Sequence, residues 1–409
     1  MTTVTIERLG QQGDGIAPGP VFAPMTLPGE VVSGVLDGVH LTDVRIETPS
    51  PDRVAPPCPH FRSCGGCQMQ HASDALVADW KREIVQNALK SAGLETEIRP
   101  TVTSPSQSRR RATFAARRTK KGAMAGFHGR KSDTIIAVPN CMLVTPTLRA
   151  ALPLCEHLAV AGASRKAALS ITVTESPEGL DIAVSGGKLL DGPLRMALAG
   201  FCQQHRIARL TWDDEQIGMR VPPAHPMGVA RVVPPAGAFL QATAHGQQTL
   251  TELVRGIIGP AKSVVDLFAG CGTFALPLAE TAEVHAVEGD RDMMAALDAG
   301  WRGASGLKRV TTETRDLFRR PLLPDELSRF DAVVIDPPRA GAVAQVAELA
   351  RAQAPVIAHV SCNPQTFARD AETLCNAGYV LDWVQPVDQF RWSAHVELVG
   401  AFRLAHIAA

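Results

Sequence analysis

The sequence lacks a long hydrophobic run, a net charge and an export signal. No stretch reaches the roughly 18 apolar residues that a membrane-spanning helix needs, so we expect no attachment to a membrane. The 41 basic and 41 acidic side chains cancel, and the overall charge therefore predicts no polyanionic partner. Residues 1–14 contain no basic segment followed by an apolar core, so no signal peptide is expected and the cytoplasm is the predicted compartment.

Nine cysteines in a chain without an export signal favour metal binding or thiol chemistry over a disulfide framework. The 409 residues predict two or three domains. Residues 1–54 alternate short strands with Gly and Pro turns, which predicts a small β-barrel. Residues 55–240 mix strands and helices and predict an α+β domain. Residues 241–409 alternate apolar strands with helices, which predicts a doubly wound α/β domain.

Glycines and acidic side chains follow successive strands of that last region. Gly270 and Gly272 end the first strand, where the backbone can approach a ligand closely. Glu288, Asp316 and Asp336 close the next three strands, and ligands of such sheets bind beyond these strand ends. A dinucleotide site would need a third glycine where Ala275 stands. The pattern therefore favours a binding site for a nucleoside that carries an amino acid. The alternative is that the glycines only form a tight strand-to-helix turn and bind no ligand.

Cys362 follows the fifth strand of this region and precedes Pro364, where a helix amino terminus would favour the thiolate. Such a residue beside a cofactor site is a candidate nucleophile. Glu397 lies in an apolar strand, where a carboxylate is unfavourable unless it is paired or used, and it is the candidate base. The alternative for Cys362 is a buried, inert thiol, which is the interpretation that we give to Cys155, Cys202, Cys271 and Cys375. The alternative for Glu397 is a buried carboxyl whose hydrogen bonds are satisfied within the core.

Three cysteines are closely spaced near the start of the second region. Cys58, Cys64 and Cys67 have the spacing C-x5-C-x2-C, and Cys141 is a possible fourth ligand. From spacing alone, structural zinc and an iron–sulfur cluster are both open. The spacing is not the C-x3-C-x2-C of radical enzymes, and chance packing of the three is the weaker alternative.

Residues 98–132 contain no Asp or Glu. Basic side chains on a sheet suit phosphates, and interleaved aromatics can stack on unpaired bases. The alternative is a solvated hairpin edge protected by charge. The candidate RNA-binding residues are Arg109, Arg110, Arg111, Arg117, Lys120 and Phe114.

Taken together, these motifs resemble the RNA uracil-5-methyltransferase family, and specifically its iron–sulfur members that modify 23S ribosomal RNA. The resemblance covers essentially the whole chain. It rests on Pro57-Cys58-Pro59-His60-Phe61, Cys64-Gly65-Gly66-Cys67, Phe239-Leu240-Gln241, the glycine turn, Asp336-Pro337-Pro338-Arg339-Ala340-Gly341, Ser361-Cys362-Asn363-Pro364 and His395-Val396-Glu397.

The resemblance implies a Rossmann-like methyltransferase domain and a shortened amino-terminal TRAM domain. It implies that Cys362 is the nucleophile, that Glu397 removes a proton and that the four cysteines hold a [4Fe–4S] cluster. It also implies a monomer that acts on 23S ribosomal RNA before or during ribosome assembly. The implied S-adenosylmethionine contacts are Gln241, Phe268, Gly270, Gly272, Thr273, Glu288, Asp316 and Asp336.

Two departures and several alternatives accompany the resemblance. Thr273 stands where many relatives have Asn, and residues 1–50 carry six acidic against two basic side chains, which disfavours phosphate binding there. The alternatives are uracil methylation of transfer RNA, an amino-group methyltransferase, a cytosine-5 RNA enzyme and an inactive iron–sulfur RNA-binding protein.

Overall fold

The computed structural model describes residues 1–164 and 167–405. The amino-terminal region is one six-stranded sheet with the order β1-β5-β6-β4-β3-β2. Its strands are β1 (Thr2–Thr5), β2 (Arg8–Leu9), β3 (Gly15–Ala17), β4 (Val21–Ala23), β5 (Val31–Asp37) and β6 (His40–Thr48). A small apolar core that includes Ile6, Val32 and Leu41 holds this sheet together. The short strands expected for residues 1–54 are therefore present.

The next elements are α1 (Asp74–Ser91), β7 (Glu97–Ile98) and β8 (Val102–Thr103). Helix α1 begins because the Ser73 hydroxyl accepts the Leu76 N–H, at 3.1 Å. Strands β7 and β8 extend the edge of the carboxyl-terminal sheet. The predicted division at residue 240 therefore differs from the structure, because β7 and β8 lie within the predicted second region but pair with a strand of the third.

The central region contains a seven-stranded sheet with the order β11-β10-β9-β12-β13-β14-β15 and a separate hairpin of β16 and β17. Its strands are β9 (Arg111–Arg118), β10 (Ala123–His128), β11 (Ile135–Ala137), β12 (Leu169–Ser176), β13 (Gly179–Ser185), β14 (Arg209–Trp212), β15 (Glu215–Met219), β16 (His225–Met227) and β17 (Ala230–Val232). Its helices are α2 (Pro146–Ala150), α3 (Leu152–Gly162) and α4 (Gly192–Gln204). The two hairpins expected from turn residues are present as β9–β10 and β12–β13.

The carboxyl-terminal region is a strand–helix alternation around a nine-stranded sheet that includes β7 and β8. Its helices are α5 (Ala244–Ile258), α6 (Ala275–Leu278), α7 (Arg291–Arg302), α8 (Pro324–Leu327), α9 (Val343–Ala352) and α10 (Pro364–Asn376). Its strands are β18 (Ser263–Leu267), β19 (Glu283–Glu288), β20 (Val310–Thr314), β21 (Ala332–Ile335), β22 (Val356–Ser361), β23 (Tyr379–Asp388) and β24 (Glu397–Leu404).

The strand order β20-β19-β18-β21-β22-β24-β23 is parallel as far as β22, and β24 then runs antiparallel to both of its neighbours. Apolar clusters cover both faces of the sheet, as a buried parallel sheet requires. The Rossmann-like prediction for this region is confirmed. From β18 the chain continues to β19 and β20 on one side and then crosses to β21 and β22 on the other side. The carboxyl ends of the adjacent strands β18 and β21 therefore flank a crevice in which a ligand can bind.

Within the two described ranges, no helix is both long enough and apolar enough to cross a membrane.

Candidate active site

The turn between β18 and α6 is unusually tight. Phe268, Gly270 and Gly272 have positive φ angles of 63°, 55° and 94°, a conformation in which glycine is the least strained residue. A Cβ atom at Gly272 would lie 2.8 Å from a Leu297 side-chain carbon. Glycine is therefore required at this position by close packing as well as by backbone geometry.

Glu288, at the end of β19, is fixed against this turn. One of its carboxylate oxygens accepts the Gly270 N–H at 3.1 Å, and the other accepts the Asp290 N–H at 3.0 Å. Thr273 is half-buried in the same turn. The turn and the acidic side chain that the sequence analysis selected therefore lie together.

Asp316 and two phenylalanine rings flank the turn. The Phe268 and Phe318 ring centroids are 5.4 Å apart. Asp316 accepts the Phe318 N–H at 3.0 Å, which holds the second ring in its loop after β20. Phe318 is 49% exposed, so one apolar ring remains available to a planar ligand.

Negative charge accumulates at the carboxyl ends of the central strands. Burial and the charge of Glu288 raise the pKa of Asp336 to about 7. Burial and the charge of Asp336 raise the pKa of Asp266 well above its usual range. Like charges in a buried site oppose each other's ionisation. A cationic group bound here would offset this repulsion and would itself be stabilised by the carboxylates.

Cys362 follows the last residue of β22, and Glu397 is the first residue of the neighbouring antiparallel strand β24. Ser361 pairs with Leu398, so Cys362 and Glu397 are each one residue from this last pair, and they are close enough for the charge of Glu397 to affect the pKa of Cys362. Glu397 is 3% exposed, while Cys362 is half-buried. A thiol and a carboxyl are thus brought together at the strand ends.

The ionisation of both groups is suppressed. Burial and the charge of Asp336 raise the pKa of Glu397 to about 8, against opposing effects of Gln389 and Arg339. Burial and the charges of Glu397 and Asp336 raise the pKa of Cys362 to about 11. The expectation that the helix amino terminus favours the thiolate stays a prediction, and any such effect is smaller than the opposing effects of burial and the carboxylates.

A buried amide links Glu397 to Gln241. The Gln389 side chain donates to the Gln241 Oε1 atom at 2.5 Å, accepts the Ala242 N–H at 2.8 Å and also hydrogen-bonds Glu397. Sequence reasoning missed Gln389, which follows β23 and belongs to no periodic pattern. It connects the candidate base to a predicted cofactor contact.

A cavity of about 340 Å³ opens beside Cys362. Arg339 and His395 line it, and their side chains lie 2.5 Å apart between a guanidinium nitrogen and Nδ1. The cavity is within the volume range of small-molecule sites, roughly 300–1,000 Å³. A ring of nucleobase size could therefore approach the thiol from this side.

The four cysteines named by the sequence analysis are buried, and each of their thiols lies near others of the set. Backbone N–H groups of Gly66 and Leu143 point at two of the sulfurs, at 3.4 and 3.5 Å. Such donors suit thiolate ligands, so the donor set fits a cysteine-ligated group. In residues 1–164 and 167–405 no three His, Cys, Asp or Glu side chains are grouped as ligands of a metal ion.

The basic segment divides into buried and exposed residues. Arg110 is buried and donates to Gln247 at 2.6 Å, and Phe114 is 0% exposed, with its ring 5.0 Å from that of Phe127. The prediction that Arg110 and Phe114 contact RNA is wrong, because both side chains are buried inside the protein.

Arg109 and Arg111 are half-buried and donate to backbone carbonyl oxygens, at 3.0 and 2.9 Å. Arg117 and Lys120, by contrast, are exposed on the β9–β10 hairpin. Arg111 and Arg117 lie on the same face of β9, so the difference comes from their positions along the strand: Arg111, at its start, contacts Gly237, whereas Arg117 lies beside the hairpin turn.

Comparison with known proteins gives a consistent result. The tRNA (uracil-5-)-methyltransferase family model matches residues 303–403. An uncharacterised RNA methyltransferase of Rhizobium meliloti is 48% identical over 406 residues, which cover 97% of this chain and 98% of the relative. The 23S rRNA (uracil(1939)-C(5))-methyltransferase RlmD of Shewanella piezotolerans is 30% identical over 431 residues, with 98% and 95% of the two chains covered.

Among solved structures, the tRNA (uracil-54, C5)-methyltransferase of Pyrococcus abyssi, in complex with S-adenosyl-L-homocysteine, aligns with a TM-score of 0.75. It is 22% identical to this chain, and the alignment covers 98% of this chain and 99% of that one. The two proteins share a fold over their whole lengths.

Proposed function

We propose a specific reaction for this chain, which belongs to the RNA uracil-5-methyltransferase family: methylation of a uracil at carbon 5, in 23S ribosomal RNA, through a transient bond to Cys362. One observation carries the proposal. Cys362 and Glu397 flank the last pair of β22 and β24, Ser361 with Leu398, which supports a mechanism in which the two groups act on opposite steps of this reaction.

Cys362 would begin the reaction as nucleophile. The thiol first loses its proton to water, the thiolate Sγ atom then forms a bond to carbon 6 of the uracil, and the ring electrons move to give an enolate that is nucleophilic at carbon 5. S-Adenosylmethionine, when bound, supplies an electrophilic methyl group to that carbon. Glu397 then takes the proton from carbon 5, and the Sγ–carbon 6 bond breaks as the double bond re-forms.

The raised pKa of Glu397 suits this second task. A base with a pKa of about 8 is close to the working pH, where general bases act most effectively. Arg339, on the cavity wall, offsets part of the rise in the pKa of Cys362 and to that extent favours the thiolate needed for attack.

The residues that would hold S-adenosylmethionine surround the glycine turn. The acidic cluster around Asp336 would stabilise a cationic sulfonium, and Glu288 stands where a ribose would lie. Phe268 and Phe318 offer a ring surface to the adenine. We assign the cofactor contacts to Gln241, Phe268, Gly270, Gly272, Thr273, Glu288, Asp316 and Asp336.

We also infer that Cys58, Cys64, Cys67 and Cys141 hold a [4Fe–4S] cluster. Their burial, their mutual proximity and the backbone donors to two sulfurs support this assignment. Protein purified without oxygen should contain iron and acid-labile sulfide. Cys64→Ser should lose both, while Cys155→Ser, at a buried cysteine in α3, should retain them. Equal iron in both variants would refute the cluster.

Transfer RNA is the second candidate substrate, because the family model and the aligned archaeal structure both carry that substrate in their names. The direct test measures transfer of labelled methyl groups to unmodified 23S ribosomal RNA and to unmodified transfer RNA. We expect 5-methyluridine in the former. Product in transfer RNA alone would replace the proposed substrate.

The same assay tests the nucleophile. Cys362→Ala should abolish transfer and leave S-adenosylmethionine binding intact, while Cys375→Ala, at a half-buried cysteine in α10, should remain active. Retained transfer in Cys362→Ala would exclude the covalent route and favour direct methylation of an amino group.

A further inference from the structure

The cavity beside Cys362 is not built by the catalytic region alone. Two side chains of the amino-terminal sheet region, Gln11 and Gln12, line it together with Cys362, Arg339 and His395. We propose that these two glutamines recognise an RNA base that enters the cavity with the target uracil. The inference rests on the proposed function and adds a specificity-determining element to it.

The glutamines stand on a rigid turn. The Gly10 N–H donates to the Asp14 carbonyl at 2.7 Å, and the Gly13 N–H donates to the Gly10 carbonyl at 3.0 Å. Gly13 has a φ of 87°, and a Cβ atom there would lie 3.0 Å from the Met69 Sδ atom. Glycine is thus required where the turn packs against the body of the protein.

A hydrogen bond to α1 fixes the position of this turn. The Trp80 Nε1 atom donates to the Gly10 carbonyl at 3.2 Å, and the Trp80 side chain is itself buried. The same helix contributes Ile84 to the cavity wall. The turn is therefore held in place beside Cys362 by a helix that also packs on the catalytic sheet.

The chemistry of the turn favours a base over a phosphate. Each glutamine amide offers two donors and one acceptor oxygen, which can pair with the edge of an unstacked base. Phosphates are bound chiefly by cations. Asp14 in the same turn and the acidic excess of residues 1–50 oppose a phosphate at this place.

Both side chains are exposed, and in the described part of the chain neither amide has a protein hydrogen-bond partner. Their donors and acceptors are therefore free to contact a ligand. Replacing them removes no internal hydrogen bond, so the fold should tolerate the change.

The test compares Gln11→Ala/Gln12→Ala with the wild-type protein on 23S ribosomal RNA transcribed in vitro, and on transcripts in which each base beside the modified uridine is replaced. We expect kcat/KM for the natural transcript to fall about tenfold or more, as expected for two lost hydrogen bonds. We expect the preference for the natural transcript over the replaced ones to shrink. The thermal unfolding midpoint should stay unchanged.

Gln203→Ala/Gln204→Ala is the matched control, because it removes another exposed pair of adjacent glutamines, at the end of α4. It should behave as wild type. Unchanged kinetics in Gln11→Ala/Gln12→Ala would overturn the inference, and so would an equal loss on every transcript. A wild-type protein that methylates no RNA would instead overturn the proposed function, so the two failures are distinguishable.

Discussion

Cys362 and Glu397 flank the last pair of β22 and β24, and the charge of Glu397 makes the thiol harder to ionise. Asp336 adds to the effect on both groups. In the resting site, therefore, the nucleophile is a protonated thiol and the base is close to half-ionised near pH 8. Binding of a cation beside these carboxylates would favour ionisation of both groups.

At the scale of single residues, the sharpest prediction concerns Glu397→Gln. The amide keeps the size of the side chain but removes the base, so the carbon 5 proton stays in place and Cys362 cannot leave. A protein–RNA adduct should accumulate on natural uridine-containing RNA, with turnover lowered about 100-fold or more. Denaturing gel electrophoresis of enzyme, RNA and S-adenosylmethionine would detect it as a slowly migrating band.

The control for this experiment is Glu397→Gln combined with Cys362→Ala, which should give no band. If the single variant turns over normally, Glu397 is not the base.

The acidic residues at the strand ends could be predicted from the sequence, whereas the burial or exposure of individual basic side chains could not. Glu288 and Asp336 follow apolar runs, and the carboxyl ends of parallel strands meet at one edge of a sheet. Phe114 and Arg110 lie in a basic segment, but the pairing of β9 with its neighbours turns Phe114 inward, and Arg110, which precedes β9, is buried by its contacts with Gln241 and Gln247. Gln389 lies in an irregular loop, where sequence carries no comparable periodic signal.

At the scale of elements, α1 supports the loop that leads to Glu397. Lys81, fully buried, is 2.6 Å from an Asp388 carboxylate oxygen and donates to the carbonyls of Phe390 and His395, at 3.3 and 2.7 Å. The sequence did not predict this arrangement, because Lys81 and Asp388 lie far apart in the chain and no periodic pattern relates them. Burial lowers the pKa of Lys81 and raises that of Asp388, so each ion depends on the other.

We predict that Lys81→Met lowers the free energy of unfolding by about 3–5 kcal/mol, because it leaves Asp388 buried and uncompensated. Lys81→Met combined with Asp388→Leu should recover much of that loss, since an apolar pair needs no desolvation of charge. Urea denaturation followed by circular dichroism would measure both. A double variant no more stable than the single one would show that the hydrogen bonds of Lys81 to the loop dominate instead.

The β9–β10 hairpin is the second element with a testable role. Arg117 and Lys120 are exposed there, so charge reversal at both should weaken RNA binding and reduce its salt dependence. We expect the slope of log affinity against log salt to become shallower by about 1–2. Fluorescence anisotropy with labelled 23S ribosomal RNA fragments would measure it.

Lys262→Glu/Arg309→Glu is the control for the hairpin, because these exposed residues precede β18 and β20 at the opposite ends of the strands from the candidate site. If both double variants lose affinity equally, the hairpin has no special role.

At the scale of the whole molecule, the carboxyl cluster links stability to pH. The pKa values of Asp336 and Glu397 in the folded protein are about 7 and about 8, above those of ordinary carboxyls. The folded state therefore binds more protons than the unfolded state, and the stability this provides is lost as pH rises through these values. His71 and His359, whose pKa values are lowered to about 4, oppose this trend only at more acidic pH.

We predict that the free energy of unfolding falls between about pH 6.5 and pH 8, and that Asp336→Asn/Glu397→Gln flattens this dependence. Asp316→Asn, at an exposed carboxyl, should leave it as in wild type. Thermal unfolding across this pH range would decide. Stability that rises with pH over the window would contradict the carboxyl cluster.

The central claim is that Cys362 forms a covalent bond to carbon 6 of a uracil in RNA. The measurement that tests it most directly uses RNA in which uridine is replaced by 5-fluorouridine, incubated with the protein and S-adenosylmethionine. Fluorine at carbon 5 leaves Glu397 no proton to remove, so the account predicts a stable complex whose nucleotide-bearing peptide contains Cys362 by mass spectrometry. Absence of any covalent complex from protein that methylates natural RNA, or a nucleotide attached to another residue, would contradict it.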